Sequence, residues 1–227
     1  MSGPKQNGNA PARNVASARG HGLPNHASGT PLHIQVRETI RRQVREGELI
    51  VDSGQKLTEM IQGLLAFSRL NTVPRVSTVC DLEIVMARCY MEAQPRLDAT
   101  KGLLNYPRMP EITADPARMF TLFYAVIDNA LKFRRDDAAP DIRIQVEEKP
   151  DCWLFRVSDN GVGIDPMFYD DVFRPLRKLH TDDAYPGVGM GLTLARKIVI
   201  QHGGQIWLEP SGRGGGLMVA FTLTKAS

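Results

Sequence analysis

The sequence predicts an α/β sandwich over residues 78–227, in which helices cover one face of a mixed and mostly antiparallel sheet. Three observations lead to this prediction. A strongly amphipathic helix follows Asp115-Pro116, two alternating strand patterns come next, and a second helix with two further strands ends the chain. Elements in this order bury one face of a single sheet under helices. A helical hairpin for dimerisation is expected before the sandwich, over residues 31–72, after a flexible segment at 1–30.

The region before the sandwich changes character near residue 30. Residues 1–30 are rich in Gly, Pro, Asn, Ser and Ala, and such a segment cannot bury enough apolar surface to order itself. Residues 34–47 carry a thin helical stripe of apolar side chains, and residues 50–70 carry a stronger one. The stronger stripe consists of Leu57, Met60, Ile61, Leu64 and Leu65. Gly47 indicates a short connection between two helices, and the continuous stripe indicates a partner helix supplied by a dimer.

Within the sandwich, the elements have recognisable start and stop signals. A helix is expected from Asp81 to Gln94, ended by Pro95. Asp115 as N-cap and Pro116 at the first helical position begin the next helix, whose apolar face continues to Phe133. The remaining elements are strands over 142–146 and 153–157, a helix over Leu192–His202, and strands over Gln205–Glu209 and Leu217–Leu223.

The bulk composition restricts the class of function. The net charge of +3 is too small to indicate nucleic acid, and the basic run from Arg37 to Arg45 is equally well explained as a solvated helix face. No apolar run approaches the roughly 18 residues that a membrane span needs. The three cysteines show no C-x-x-C spacing. We therefore expect a cytoplasmic, reduced protein with neither a membrane nor a nucleic acid as partner.

Two glycine clusters flank a loop-rich stretch and suggest contacts with a nucleotide. Asp159 ends a strand and begins D-N-G-V-G-I (159–164), where a carboxylate can accept a hydrogen bond from an adenine amino group; a tight turn with a capping Asp is the alternative. G-V-G-M-G-L (187–192) leads into a helix, so its backbone amides can cradle phosphates; a flexible loop is the alternative. A Rossmann site is excluded because no strand runs directly into this cluster.

A third candidate feature lies on the helix that follows Pro116. Asn129 and Lys132 are three residues apart and therefore share one helix face. An Asn oxygen suits Mg²⁺, and a Lys ammonium suits phosphate. The alternative is the solvated edge of an amphipathic helix.

The order and spacing of these features resemble the catalytic core of sensor histidine kinases, which belong to the GHKL or Bergerat-fold ATPases. V-I-D-N-A-L-K-F (126–133) resembles the asparagine box, and the two glycine clusters resemble the two glycine boxes. V-F-R-P-L-R-K-L-H (172–180) resembles the phenylalanine box of the ATP lid. The similarity extends over about residues 50–224 and is greatest to phytochrome-like two-component kinases.

The resemblance implies ATP and Mg²⁺ as cofactors and assigns roles to individual residues. Asp159 would bind the adenine amino group, and Asn129 would hold the metal. Lys132, Lys178 and His180 would line the phosphates or the lid. The full set of implied nucleotide-binding residues is Asn129, Lys132, Phe133, Asp159, Gly161, Gly163, Ile164, Lys178, His180, Gly187, Gly189, Gly191 and Leu192. The implied reaction is γ-phosphoryl transfer to a histidine and then to an aspartate of a response-regulator receiver domain.

The sequence departs from the family pattern in the lid, at Ala125 and beside the candidate phosphoacceptor. Leu176 replaces the usual second Phe of the lid, a mild packing change. Ala125 stands where the ATP-hydrolysing relatives carry a general-base Glu, which favours phosphoryl transfer over hydrolysis. His26 is the candidate phosphoacceptor, in H-A-S-G-T-P-L (26–32), but Ala27 replaces the acid expected beside it. His33 and His21 are further candidates, and the chain could also have no competent acceptor. Two alternatives therefore stay open: a non-catalytic ATP-binding signalling partner, and a protein-serine kinase of the anti-sigma type.

Overall fold

The computed structural model describes residues 32–73, 76–178, 185 and 187–225. The predicted flexible segment at 1–30 lies outside these residues. The chain divides into two compact units, Met1–Glu48 and Leu49–Ser227. The described part of the first unit is helical, and the second unit contains the sandwich. None of the helices in the described part of the chain has the length and apolar character needed to cross a membrane.

Helix α1 spans Leu32–Thr72 without a break. The predicted connection near Gly47 is therefore wrong: a single helix takes the place of the hairpin. A glycine inside a helix costs only about 1 kcal/mol relative to alanine, so one glycine does not end a helix whose neighbours favour it. An i,i+4 ion pair between Arg42 and Glu46, at 2.9 Å, spans the turn just before Gly47. Dimerisation through α1 stays a prediction.

The described part of the sandwich contains seven strands in two sheets. In chain order they are β1 (Thr78–Asp81), β2 (Leu103–Asn105), β3 (Glu111–Ala114), β4 (Asp141–Glu148), β5 (Cys152–Ser158), β6 (Ile206–Pro210) and β7 (Leu217–Thr224). The main sheet has the order β2-β4-β5-β7-β6, in which β2 runs parallel to β4 and all other neighbours are antiparallel. Strands β1 and β3 form a separate antiparallel pair. The predicted mixed, mostly antiparallel sheet is confirmed.

Three α-helices pack with these sheets among the residues that the structure describes: α2 (Leu82–Thr100), α3 (Pro116–Lys132) and α4 (Gly191–Gln201). The Asp115 carboxylate accepts hydrogen bonds from the N–H groups of Ala117 and Arg118, so the predicted N-cap of α3 is confirmed. The predicted end of α2 at Pro95 is wrong. The helix continues through Pro95 because tertiary packing of its last turn, where Leu97 is buried, offsets the one backbone hydrogen bond that proline removes.

One hydrophobic core lies between the sheet and the helices. Side chains of alternate residues on β5 and β7 point into it, and Phe155 opposes Phe221 in the strand register. Phe123 of α3 makes edge contacts with both rings, at centroid distances of 5.3 and 5.5 Å. This packing fixes α3 against the sheet and so positions the C-terminal half of α3, where Asn129 and Lys132 lie.

Candidate functional site

An open cavity of about 250 Å³ lies where the C-terminal half of α3, the loop after β5 and the loop before α4 come together. Most of the predicted site residues line it: Asn129, Lys132, Phe133, Asp159, Gly163, Ile164, Lys178, Gly187, Gly189, Gly191 and Leu192. Gly161 lies beside the cavity, where its N–H bonds Asp159. His180 and His26 lie outside the described residues. Segments far apart in the sequence therefore meet at one site, as the three motifs predicted.

Asp159 is the buried acid of this cavity, with 8% of its surface exposed. Its Oδ1 accepts hydrogen bonds from the N–H groups of Gly161, at 2.8 Å, and Leu217, at 3.0 Å. Burial raises the pKa of the Asp159 carboxyl above its ordinary value, and the two backbone bonds oppose this effect. Because both bonds use Oδ1, Oδ2 is the oxygen with which the carboxylate can bind a ligand in the cavity.

The first glycine cluster allows the loop after β5 to pass close to the loop before β7. Gly163 adopts a φ of +68°, and a Cβ atom at this position would lie 1.9 Å from the carbonyl oxygen of Gly215. No other residue fits there without moving the backbone. The loop after β5 therefore packs directly against the loop before β7, and Gly163 lines the cavity together with Asp159.

The second glycine cluster leads into the N-terminus of α4. Gly187 has a φ of +109°, and a Cβ atom there would lie 2.8 Å from the Lys132 ammonium. Helix α4 begins at Gly191 with no side-chain cap on its first N–H groups. Free N–H groups at a helix start, with a lysine beside them, attract anions. This end of the cavity is suited to phosphate.

Asn129 and Lys132 lie one turn apart on α3 and are both half-buried at the cavity. Burial lowers the pKa of the Lys132 ammonium, the Asp128 carboxylate opposes this effect, and Lys178 adds to it. Asp128 also lines the cavity and forms an ion pair with Arg96 of α2. Lys132, Lys178 and Arg177 give the cavity a basic side.

The donors around the cavity suit a metal that is bound mainly through its nucleotide. No group of three His, Cys, Asp or Glu side chains in the described part of the chain is arranged to hold a metal ion. Asn129 places a neutral amide in the cavity, and Mg²⁺ commonly takes one or two protein ligands with phosphate oxygens and waters completing its shell. The residues present therefore fit a magnesium ion carried by a polyphosphate.

Several lining residues were not among the predicted ones. They are Glu59, Ala125, Asp128, Val172, Arg177, Tyr185, Val188, Met190 and Leu217. Val188 and Met190 lie within the second glycine cluster, and Ala125 and Asp128 lie on the same helix as Asn129, so their neighbours could have indicated them. Glu59 lies on α1 and Leu217 begins β7. No local pattern connects these two residues with the motifs.

Comparisons with known proteins agree with this geometry. The family profile described as histidine kinase-, DNA gyrase B-, and HSP90-like ATPase matches residues 114–227. Cyanobacterial phytochrome A of Nostoc sp. strain PCC 7120 is 35% identical over 76% of this chain and 22% of its own length. The phytochrome-like protein Cph1 of Synechocystis sp. strain PCC 6803 is 34% identical over 72% of this chain and 22% of its own length.

The fold is also similar to that of solved histidine kinases. Full-length ShkA, solved in complex with AMPPNP, superimposes with a TM-score of 0.65 at 20% identity and covers 82% of this chain and 40% of its own. The chain spans about a fifth of the length of the two phytochromes, 22% in each case. Because the family profile matches half of the chain, from the strand before α3 to the end, this chain belongs to the histidine kinase-, DNA gyrase B-, and HSP90-like ATPase family.

Proposed function

We propose that this chain is a two-component histidine kinase core, which binds Mg-ATP in the cavity and transfers the γ-phosphoryl group to a histidine. A response-regulator aspartate is the next acceptor. One observation supports the proposal above all others: the cavity joins a buried carboxylate at one end to uncapped helix N–H groups and lysines at the other. An adenine nucleotide has the matching polarity, with an amino group at one end and phosphates at the other.

At the adenine end, Asp159 accepts a hydrogen bond from the exocyclic amino group through Oδ2. The ring lies against apolar lining residues, including Ile164, Leu192 and Leu217. Burial of Asp159 makes this bond stronger than the same bond in water, because little solvent competes for the carboxylate. ShkA, which shares this fold, was solved with the ATP analogue AMPPNP.

At the phosphate end, the start of α4 and the ammonium of Lys132 bind the phosphate oxygens, and Lys178 adds positive charge. Asn129 would be the protein ligand to Mg²⁺, which would neutralise charge on the phosphates. Positioning and charge neutralisation of this kind account for most of phosphoryl-transfer catalysis.

The chemical step is transfer to a side chain. An imidazole nitrogen attacks the γ-phosphorus, the bond between this phosphorus and the bridging oxygen breaks, and ADP leaves. The imidazole proton is released to solvent. Hydrolysis is disfavoured because the cavity lacks a free general base on α3. Ala125 presents only a methyl group there, and the Asp128 carboxylate is paired with Arg96. His26 is the proposed acceptor.

Homodimerisation through α1 is part of the proposal. Met60, which the sequence places in the predicted stripe, is half-buried on another face of the helix. The side chains of Leu57, Ile61, Leu64 and Leu65 form an apolar stripe on one face, and between 46% and 60% of each is exposed. A continuous exposed stripe of this kind indicates an interface between copies. Ile61→Asp is expected to convert a dimer to a monomer in light scattering. Gln55→Asp, at an exposed position of the same helix that faces away from the stripe, is expected to leave the mass unchanged.

The experiment that tests the proposed reaction is incubation of the chain with Mg²⁺ and γ-labelled ATP. The acid and base stability of any protein-bound label is then measured. Phosphohistidine is lost in acid and survives in alkali. We expect acid-labile label on the wild-type chain and none on His26→Ala or Asn129→Asp.

Other outcomes distinguish the remaining possibilities. Label that survives His26→Ala moves the acceptor to another residue, for which His33→Ala is the next variant. Acid-stable label on a partner protein supports a protein-serine kinase. Absence of label on a chain that still binds ATP contradicts the autokinase and leaves an ATP-binding signalling partner.

A further inference from the structure

The C-terminal part of α1 presents two distinct faces. The exposed apolar stripe lies on one, and the half-buried residues Met60, Gly63, Ala66, Phe67 and Leu70 lie on the other. Spacings of three and four residues place these half-buried positions along one side of a helix. Leu70 packs against the core of the sandwich. This second face is therefore the side of α1 that contacts the nucleotide-binding unit.

Three contacts join this face to α4 and to the residue before it. Met190 lies over Gly63, where a Cβ atom would be 2.7 Å from the methionine Cγ. Lys197 lies 5.9 Å from the centre of the Phe67 ring, and Gln201 donates a hydrogen bond of 2.7 Å to the carbonyl oxygen of Leu70. The contacts advance together along both helices, so α1 lies parallel to α4.

Arg118 fixes the end of α1 in this arrangement. Only 7% of its surface is exposed. It donates to the carbonyl oxygen of Val73 at 2.6 Å and to Oε1 of Gln201 at 2.8 Å. Hydrogen bonds from a buried charged donor are stronger than those between neutral groups. Arg118 at the start of α3 and Gln201 at the end of α4 thus both bind the C-terminal end of α1.

This docking brings Glu59 to the proposed nucleotide site. Glu59 is one helical turn before Gly63, and it lines the cavity together with Lys132 and Asn129. The other two acids of the cavity are engaged: Asp128 pairs with Arg96, and Asp159 accepts two backbone N–H groups. Glu59 is exposed, and its charge acts on Lys132, whose ammonium it stabilises.

We propose that Glu59 is an affinity-setting residue that α1 supplies to the nucleotide site, where its carboxylate opposes the triphosphate and competes with it for Lys132. The packing of Met190 over Gly63 holds Glu59 in this place. The inference rests on the proposed nucleotide function and adds to it a dependence of nucleotide affinity on the docking of α1. The position of α1 then controls how tightly the site binds ATP.

The sign and size of the effect follow from the charges. Removing a carboxylate that faces bound phosphates strengthens binding, and an exposed charge near a charged ligand changes affinity by about two- to fivefold at low salt. The gain in affinity on removal of the carboxylate is largest for ATP, smaller for ADP and absent for adenosine, which has no phosphate. It decreases as salt screens the charges.

The test is a titration of the full chain with ATP, ADP and adenosine in the presence of Mg²⁺, at low and high salt. Glu59→Gln is expected to bind ATP about two- to fivefold more tightly than the wild type at low salt. Asp52→Asn is the matched control, because Asp52 is an exposed acid two turns earlier on α1 that does not line the cavity. It is expected to leave the ATP affinity unchanged.

A second pair of variants tests whether docking of α1 holds Glu59 in place. Gly63→Ala places a methyl group against Met190, whereas Gly54→Ala meets nothing within 4 Å on the same helix. Both changes raise helix propensity equally. In a chain that carries Gly63→Ala, Glu59→Gln is expected to increase ATP affinity by less than half as much as it does in the wild type. In a chain that carries Gly54→Ala, the increase is expected to be the same as in the wild type.

The outcomes separate this inference from the function on which it rests. If the wild-type chain binds none of the three ligands, the proposed function fails. If the wild type binds ATP but Glu59→Gln has the same or a weaker ATP affinity, the inference alone is overturned. An equal gain for ATP and adenosine also overturns it, because the effect is then not directed at phosphate.

Discussion

Replacement of Asp159 by Asn separates the stability of the cavity from its proposed recognition of adenine. The change keeps the size and shape of the side chain. Oδ1 of the asparagine can still accept the bonds from Gly161 and Leu217 that Oδ1 of the carboxylate accepts now. The second oxygen becomes an NH₂ group, which is a donor and therefore faces the donating amino group of adenine.

The expected loss of affinity follows from the hydrogen bond that is removed. A bond to a charged acceptor contributes about 1.5–3 kcal/mol, which corresponds to roughly a 10- to 150-fold weaker binding of ATP. Because the asparagine NH₂ and the adenine amino group are both donors, we expect a loss of affinity toward the upper end of this range. Stability is expected to change in the other direction, because the buried carboxylate is costly to ionise and the amide is not.

The pH dependence of stability gives an independent check. Burial raises the pKa of Asp159 above its ordinary value of 3.8, so the folded chain binds more protons than the unfolded chain just above this pH. The free energy of unfolding therefore receives from Asp159 a contribution that falls as pH rises from about 4 through the raised pKa. In Asp159→Asn this contribution disappears, so the variant equals or exceeds the wild type in stability at pH 7.

Calorimetric titration with ATP and thermal unfolding at several pH values measure both quantities. We expect the variant to lose affinity for ATP and to keep its stability. An Asn variant that unfolds several degrees earlier would show that the carboxylate is needed for the fold. An Asn variant that binds ATP as tightly as the wild type would refute the assignment of the adenine end.

Three further predictions follow from single contacts. Gly163→Ala is expected to lower the melting temperature by at least about 4 °C, or roughly 2 kcal/mol of stability, because its Cβ would meet a backbone oxygen at 1.9 Å. Gly212→Ala is the control for backbone strain alone, because Gly212 has a φ of +67° but open space around it, and its melting temperature should fall by less. Arg118→Ala is expected to speed amide hydrogen exchange in the last turn of α1, measured by mass spectrometry, because its bonds to Val73 and Gln201 are lost. Unchanged exchange there would contradict the role of Arg118 in fixing the end of α1. Burial raises the pKa of the Cys89 thiol to about 12, so a thiol reagent at pH 8 is expected to label the half-exposed Cys152 in the native chain and Cys89 only after unfolding.

The features that could be predicted from the sequence are those encoded by neighbouring residues. Asp115-Pro116 marks the start of α3 because capping and a fixed φ act within one turn. The strands β4 and β5 were indicated by alternation, and the glycine clusters by the need for backbone conformations that other residues avoid. Local rules of this kind also indicate Asn129, Lys132 and Asp159, which line one cavity.

The features that could not be predicted depend on tertiary contacts or on competition between small terms. Gly47 and Pro95 each disfavour a helix by an amount that the surrounding residues outweigh, so both lie inside helices. Leu217 donates to Asp159 from 58 residues away, and Glu59 reaches the cavity only because α1 docks along α4. No local sequence pattern indicates contacts between residues so far apart in the chain.

Hydrogen exchange of the full chain with and without Mg-AMPPNP shows directly where a nucleotide binds. We expect slower exchange in three separate segments, 126–133, 159–164 and 187–192, and little change on the outer strands β1 and β3. No protection at saturating nucleotide, or protection confined to other segments, would contradict the claim that this cavity is an ATP site.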